Sequence, residues 1–156
     1  MKNFYLVAIF IVTGFTMNAQ DGYKHFFFKG GPVIPNGLSV SVGFDFARDY
    51  YNAVEISANY FKNFKKKDSI TYENYLLGIN YKPLLFREKN SLVKLKIGVY
   101  GGSGTDNFTI APNIGFEFLQ SLSNNLDLVI SNDNGYYFSS SQEWIITANI
   151  GFRIAL

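Results

Sequence analysis

The stretch Trp144-Ile-Ile-Thr-Ala-Asn-Ile-Gly-Phe-Arg-Ile-Ala-Leu156 constrains the fold more than any other part of the chain. Trp144, Ile146, Ala148, Ile150, Phe152, Ile154 and Leu156 fall on one parity, with Thr147, Asn149, Gly151 and Arg153 on the other. Successive side chains of a strand point to opposite faces, so this is a strand with one apolar and one polar or small face.

The same grammar recurs upstream. Tyr23–Lys29 reads as a first strand, and Gly30–Gly37 as a loop. Leu38–Phe46, Val54–Tyr60, Tyr75–Tyr81, Val93–Val99, Ile110–Phe118 and Leu126–Ser131 each alternate apolar with polar or small residues. Turns or loops are expected at Arg48-Asp49, Lys62–Ser69, Lys82–Asn90, Gly101–Asn107, Ser121–Asn125 and Asn132–Glu143. With the closing strand the count is about eight, and no long helical periodicity follows Ala19. Met1-Lys2-Asn3, the apolar run Phe4–Phe15 and Met17-Asn18-Ala19 form a signal peptide cleaved after residue 19. One mature domain, 20–156, is expected. Removing Lys2 leaves 13 basic residues against 12 acidic, and a balance that even gives no reason to expect direct nucleic-acid binding.

Alternation alone does not say which face is inside. A membrane barrel is apolar outside; a lipocalin-like barrel is apolar within. Three features favour the membrane. The closing strand runs to Leu156. Aromatics crowd strand ends at Phe44, Phe46, Tyr50, Tyr51, Tyr60, Phe61, Tyr81, Tyr136, Tyr137, Phe138 and Trp144, as interfacial girdles do. Lys94 and Lys96 alternate with aliphatics, and a lysine facing lipid near the midplane would cost about 2–4 kcal/mol. The expected fold is therefore all-β: an antiparallel up-and-down transmembrane β-barrel of the outer membrane. Its lumen would hold Glu55, Glu117 and Asp127 against Lys94, Lys96 and Arg153, three charges of each sign. Glu117 and the two lysines, on adjacent strands, are the expected partners in a structural ion-pair network.

Catalytic chemistry has little to stand on. His25 is the sole histidine and there is no cysteine, so neither a His-activated nucleophile nor a thiolate metal site is expected. Ser139-Ser140-Ser141 reads as a loop, Asp133-Asn134-Gly135 as a turn and Gly101–Gly104 as a flexible loop rather than a phosphate cradle. No cofactor or metal is expected. Lys65-Lys66-Lys67 is the one charge run, read either as a solvated outer loop touching lipopolysaccharide phosphates or as a docking surface for a partner or for passing nucleic acid. Asn149, Gly151, Ile154 and Leu156 match the polar-x-Gly-x-x-apolar-x-apolar form of the closing-strand signal read by the barrel assembly machinery. Membrane lipid and that machinery are thus the expected partners.

Four segments carry a family resemblance: Tyr75-Leu-Leu-Gly-Ile-Asn-Tyr-Lys-Pro-Leu84, Gly101-Gly102, Gly115-Phe-Glu-Phe-Leu119 with Leu126-Asp-Leu-Val129, and Ile150-Gly-Phe-Arg-Ile154. In this order they resemble the TraO family of Bacteroidetes conjugative transposons, and a leader ending in Ala19-Gln20 suits that phylum. The resemblance implies a non-enzymatic envelope component of a conjugal transfer apparatus, with other apparatus proteins as partners. The alternative expectation is a generic outer-membrane barrel, structural or binding ligands at its loops.

Overall fold

The computed structural model describes residues 23–34, 36–47, 52–64, 71–104, 107–138 and 143–156. They form eight strands: β1 (Tyr23–Ile34), β2 (Gly37–Ala47), β3 (Asn52–Phe64), β4 (Thr71–Glu88), β5 (Ser91–Ser103), β6 (Phe108–Ser123), β7 (Leu126–Tyr136) and β8 (Trp144–Ala155). Each pairs antiparallel with its sequence neighbours, and β8 returns to β1, closing the barrel. The register runs Lys24, Phe46, Val54, Tyr81, Ile97, Ile114, Asn134, Ile146 and back to β1 at Ile34, ten residues beyond its start. That stagger tilts the strands and lets a twisted sheet close on itself. The strands have 11 to 18 residues, enough to span a bilayer, which takes roughly 9–11 in a tilted strand.

Facing is decided by parity along every strand. Leu77, Ile79, Ile114 and Ile150 point outward and are more than half exposed, whereas Glu55, Lys82 and Lys96 point inward and are fully buried. Apolar outside and charged inside is the polarity of a membrane barrel, and it excludes the lipocalin-like arrangement. Aromatics gather at both ends of the wall. Where β1 begins and β8 finishes (the near end), Phe44 packs against Phe26 at 5.6 Å and Phe46 at 6.4 Å. At the far end, Tyr60 meets Tyr75 at 5.0 Å, and Tyr136 meets Phe138 at 5.0 Å and Trp144 at 5.2 Å. Two expected girdle members are placed differently. Phe61 and Tyr137 share the parity of the inward residues and are buried in the lumen. Tyr50 and Tyr51 lie outside the described residues.

Several expected loops are strand. Gly30–Ile34, Lys82–Glu88, Gly101–Ser103, Ser121–Ser123 and Asn132–Tyr136 all continue the ladder. Gly, Pro and Asn mark turns only where no neighbour completes the pairing; in a closed barrel each strand has a partner on both sides. Pro83 lies beside the β4–β5 register shift between Leu84 and Phe86, the kind of irregularity at which a strand tolerates proline. A short β4–β5 turn contains Lys89, whose φ of 38° is the positive value such turns use. The expected leader 1–19, the turn at Arg48-Asp49, Ser139–Ser141 and Lys65-Lys66-Lys67 lie outside the described residues.

A charged lumen as the candidate functional site

The lumen is layered. Nearest the near end, Arg153 on β8 faces its register partner Asp127 on β7. Its Nε and Nη2 both donate to Asp127 Oδ2, at 2.9 and 2.6 Å, while Nη1 reaches Asp45 Oδ2 at 3.5 Å. The next layer centres on Lys82, whose Nζ lies 2.7 Å from Asp45, 2.6 Å from Glu117 and 3.2 Å from Glu55. Lys29 adds contacts to Glu55 at 3.4 Å and Glu117 at 3.9 Å, and lies over the Phe27 ring at 4.8 Å. Lys96 bridges Asp133 at 2.6 Å and Glu55 at 3.3 Å. Asn80 Nδ2 donates to Glu55 Oε1 at 2.9 Å, filling more of that carboxylate's accepting capacity.

Of the six residues read from sequence as lumenal partners, Glu55, Lys96, Glu117, Asp127 and Arg153 enter this network. Lys94 does not join it as expected. It sits opposite Glu117 in the β5–β6 register and is buried, yet it makes no ion pair within 4.0 Å among the described residues. Glu117 turns its carboxylate toward the barrel centre, where Lys82 and Lys29 take both oxygens. Sequence reasoning misses Lys29, Asp45, Lys82 and Asp133. Lys82 falls in an expected connection, Asp133 in an expected turn, and the Phe26-Phe27-Phe28 run obscures the facing of Lys29. Among the described residues the lumen thus holds five acids (Asp45, Glu55, Glu117, Asp127, Asp133) and five bases (Lys29, Lys82, Lys94, Lys96, Arg153). Uncompensated charges there would cost several kcal/mol each, so the even balance is what permits the burial.

Above the charges lies an uncharged polar layer. Ser41 Oγ donates to Asn59 Oδ1 at 2.7 Å, Asn59 Nδ2 to Ser57 Oγ at 3.0 Å, and Asn149 Nδ2 to Thr147 Oγ1 at 3.0 Å. Ser39 donates to Asn149 Oδ1. Toward the far end Val33, Phe61, Leu76, Tyr100, Ala111, Tyr137 and Ile145 form one buried cluster, with Asn63, Asn74 and Thr109 buried beyond it. The Phe61 ring stands 6.3 Å from that of Tyr100 and 6.2 Å from that of Tyr137.

The closing-strand residues divide by face. Asn149 belongs to the polar layer, and Ile154 and Leu156 point outward and are exposed. Gly151 faces β1 so closely that a Cβ there would run into the Phe28 carbonyl and the Lys29 backbone. His25 is half-buried at the near end, and no group of three or more metal-type ligands occurs among the described residues.

Comparison with known proteins places the architecture. The chain is similar to Neisserial surface protein A, with a TM-score of 0.68 and 12% identity over 86% of this chain and 97% of that one. It is similar to a major outer membrane protein of Thermus thermophilus (TM-score 0.67, 12% identity, 88% and 100% covered). It is also similar to the N-terminal β-barrel domain of Pseudomonas aeruginosa OprF (TM-score 0.64, 12% identity, 87% and 100% covered). At such identities the likeness shows the fold alone. No protein-family model and no curated protein matches the chain, so the TraO resemblance gains no support from these comparisons.

Proposed function

We propose that this protein is a non-enzymatic barrel of the outer membrane, with a structural or ligand-binding role carried by its rims. The observation that carries the reading is the inverted polarity: an apolar outer wall between two aromatic girdles around ten inward charges. Such a wall is stable in lipid and would aggregate in water. The likeness to outer-membrane barrels supports the same compartment. His25 is the sole histidine, and its Nδ1 has no hydrogen-bond partner among the described residues, which supports a role without catalysis. A place in a conjugal transfer apparatus rests on the sequence resemblance alone and is no part of this proposal.

Membrane fractionation with gel migration tests it. The expected result is a band in the outer-membrane fraction that migrates faster unheated than boiled, as a folded barrel does. A soluble periplasmic protein with heat-insensitive migration would overturn the reading.

A further inference from the structure

We propose that the outer wall of β7 is a docking face for a second copy of this chain, so that the barrel pairs in the plane of the membrane about Asn132 and Asn134. The inference rests on the membrane-barrel reading above and names a partner for a wall that reading leaves bare. Asn132 and Asn134 share the outward parity of β7 with Ile130 and Tyr136, while Ser131, Asp133 and Gly135 between them are buried in the lumen. The register partners of Asn132 are Phe116 on β6 and Ala148 on β8; those of Asn134 are Ile114 and Ile146. Ile114, Phe116 and Ile146 are themselves exposed on the wall. Between the two aromatic girdles, every other outward position among the described residues is aliphatic, aromatic, glycine or proline. Two neighbouring amides on one strand therefore interrupt an otherwise hydrophobic wall.

Lipid tails offer an amide nothing to bond to, so a polar group at this depth is satisfied only by protein. Each amide finds part of what it needs on β6. Asn132 Oδ1 accepts from the Phe116 N–H at 2.9 Å, and Asn134 Nδ2 donates to the Ile114 carbonyl at 3.2 Å. Asn132 Nδ2 and Asn134 Oδ1 keep no partner among the described residues. The wall thus presents a free donor and a free acceptor, and a second copy answers both. Two barrels inserted in the same direction are related by a two-fold axis along the membrane normal, which sets Asn132 opposite Asn132 and Asn134 opposite Asn134 at equal depth. A carboxamide both donates and accepts, so each like pair bonds reciprocally. The patch carries no charge, so like meets like without repulsion. Ala148 at its edge is small and lets the walls approach, as small residues do where membrane segments pack.

Energy transfer in phosphatidylcholine vesicles tests the pairing on the full mature chain. The chain has no cysteine, so Asn125→Cys in the β6–β7 turn supplies one labelling site. Donor-labelled and acceptor-labelled protein, mixed in the same vesicles, should show transfer that persists on dilution with lipid. Single labelled particles should bleach in no more than two steps. Asn132→Leu/Asn134→Leu should reduce transfer to the level of random encounter. Leucine suits a lipid-facing position, so this variant keeps its fold, and heat-modifiable migration verifies that it does. Val54→Ala/Ile56→Ala, on β3 at the opposite side of the barrel, should leave transfer intact.

Random-level transfer in the folded wild type overturns the proposal and leaves the face to some other protein or to none. Transfer that survives the leucine changes, or that falls equally with the β3 changes, overturns it as well, because the contact then lies elsewhere. Bleaching in more than two steps excludes the closed two-fold pair. Failure of the wild type to appear as a heat-modifiable membrane band would strike the proposed function instead.

Discussion

Arg153 holds Asp127 through two nitrogens and reaches Asp45 with a third, so its removal leaves two carboxylates in the lumen short of a partner. Breaking a buried pair from one side costs about 3–5 kcal/mol. Arg153→Leu should therefore lower the urea midpoint of the detergent-folded barrel substantially. Lys62→Leu, which removes an outward, solvent-screened pair with Glu73, should leave the midpoint nearly unchanged. Equal midpoints for the two variants would sink the ion-pair account of the interior. At this scale the sequence is informative wherever alternation is clean: Glu55, Lys96 and Arg153 are legible from parity alone. Asp45 also lies on a face that reads as polar. Lys82 and Asp133 keep the inward parity of their strands too, but Pro83 and Asn134-Gly135 draw them into expected turns. Which lysine meets which acid is not legible, because the lysines pair across the lumen rather than with register partners; only Arg153 and Asp127 meet as register partners.

Strand β8 shows how an element carries both packing and closure. Its outward residues Ile150, Phe152 and Ile154 are exposed, its inward Thr147, Asn149 and Arg153 buried, and Gly151 allows its backbone to press against β1. Glycine at such a point permits the bend that barrel closure needs. Gly151→Ala is expected to destabilise the barrel by about 1–3 kcal/mol, the usual cost of overpacking. Gly101→Ala offers the contrast, since a Cβ there would meet only Phe108 and Thr109 at ordinary distances of 3.9 and 4.0 Å. Thermal melts in detergent would show it: a drop for Gly151→Ala with Gly101→Ala unchanged supports the account, and two equal melts contradict it. The existence and order of β2 to β8 can be read from period-two alternation, while β1 is obscured by its Phe26-Phe27-Phe28 run and the strand ends cannot be read at all. Strand ends depend on how far the neighbouring strand reaches, which is a property of the closed register and not of Gly or Pro in one segment.

The whole molecule is organised by one inversion, with apolar residues outside and charge within. Its buried aromatic cluster at the far end is the least legible part. Phe61 and Tyr137 look like girdle aromatics because they sit near strand ends in sequence, and only their parity sends them inward. Trp144, the sole tryptophan, lies on the outward face of β8 beside Tyr136 and is well exposed on the isolated chain. This makes its fluorescence a direct report on what surrounds the barrel wall. On refolding into bilayers, Trp144 emission should shift to shorter wavelength and be quenched by lipids brominated high on their acyl chains, near the interface. Emission that stays at its aqueous wavelength and ignores brominated lipid would contradict the membrane-facing wall, and with it the account of the fold's purpose.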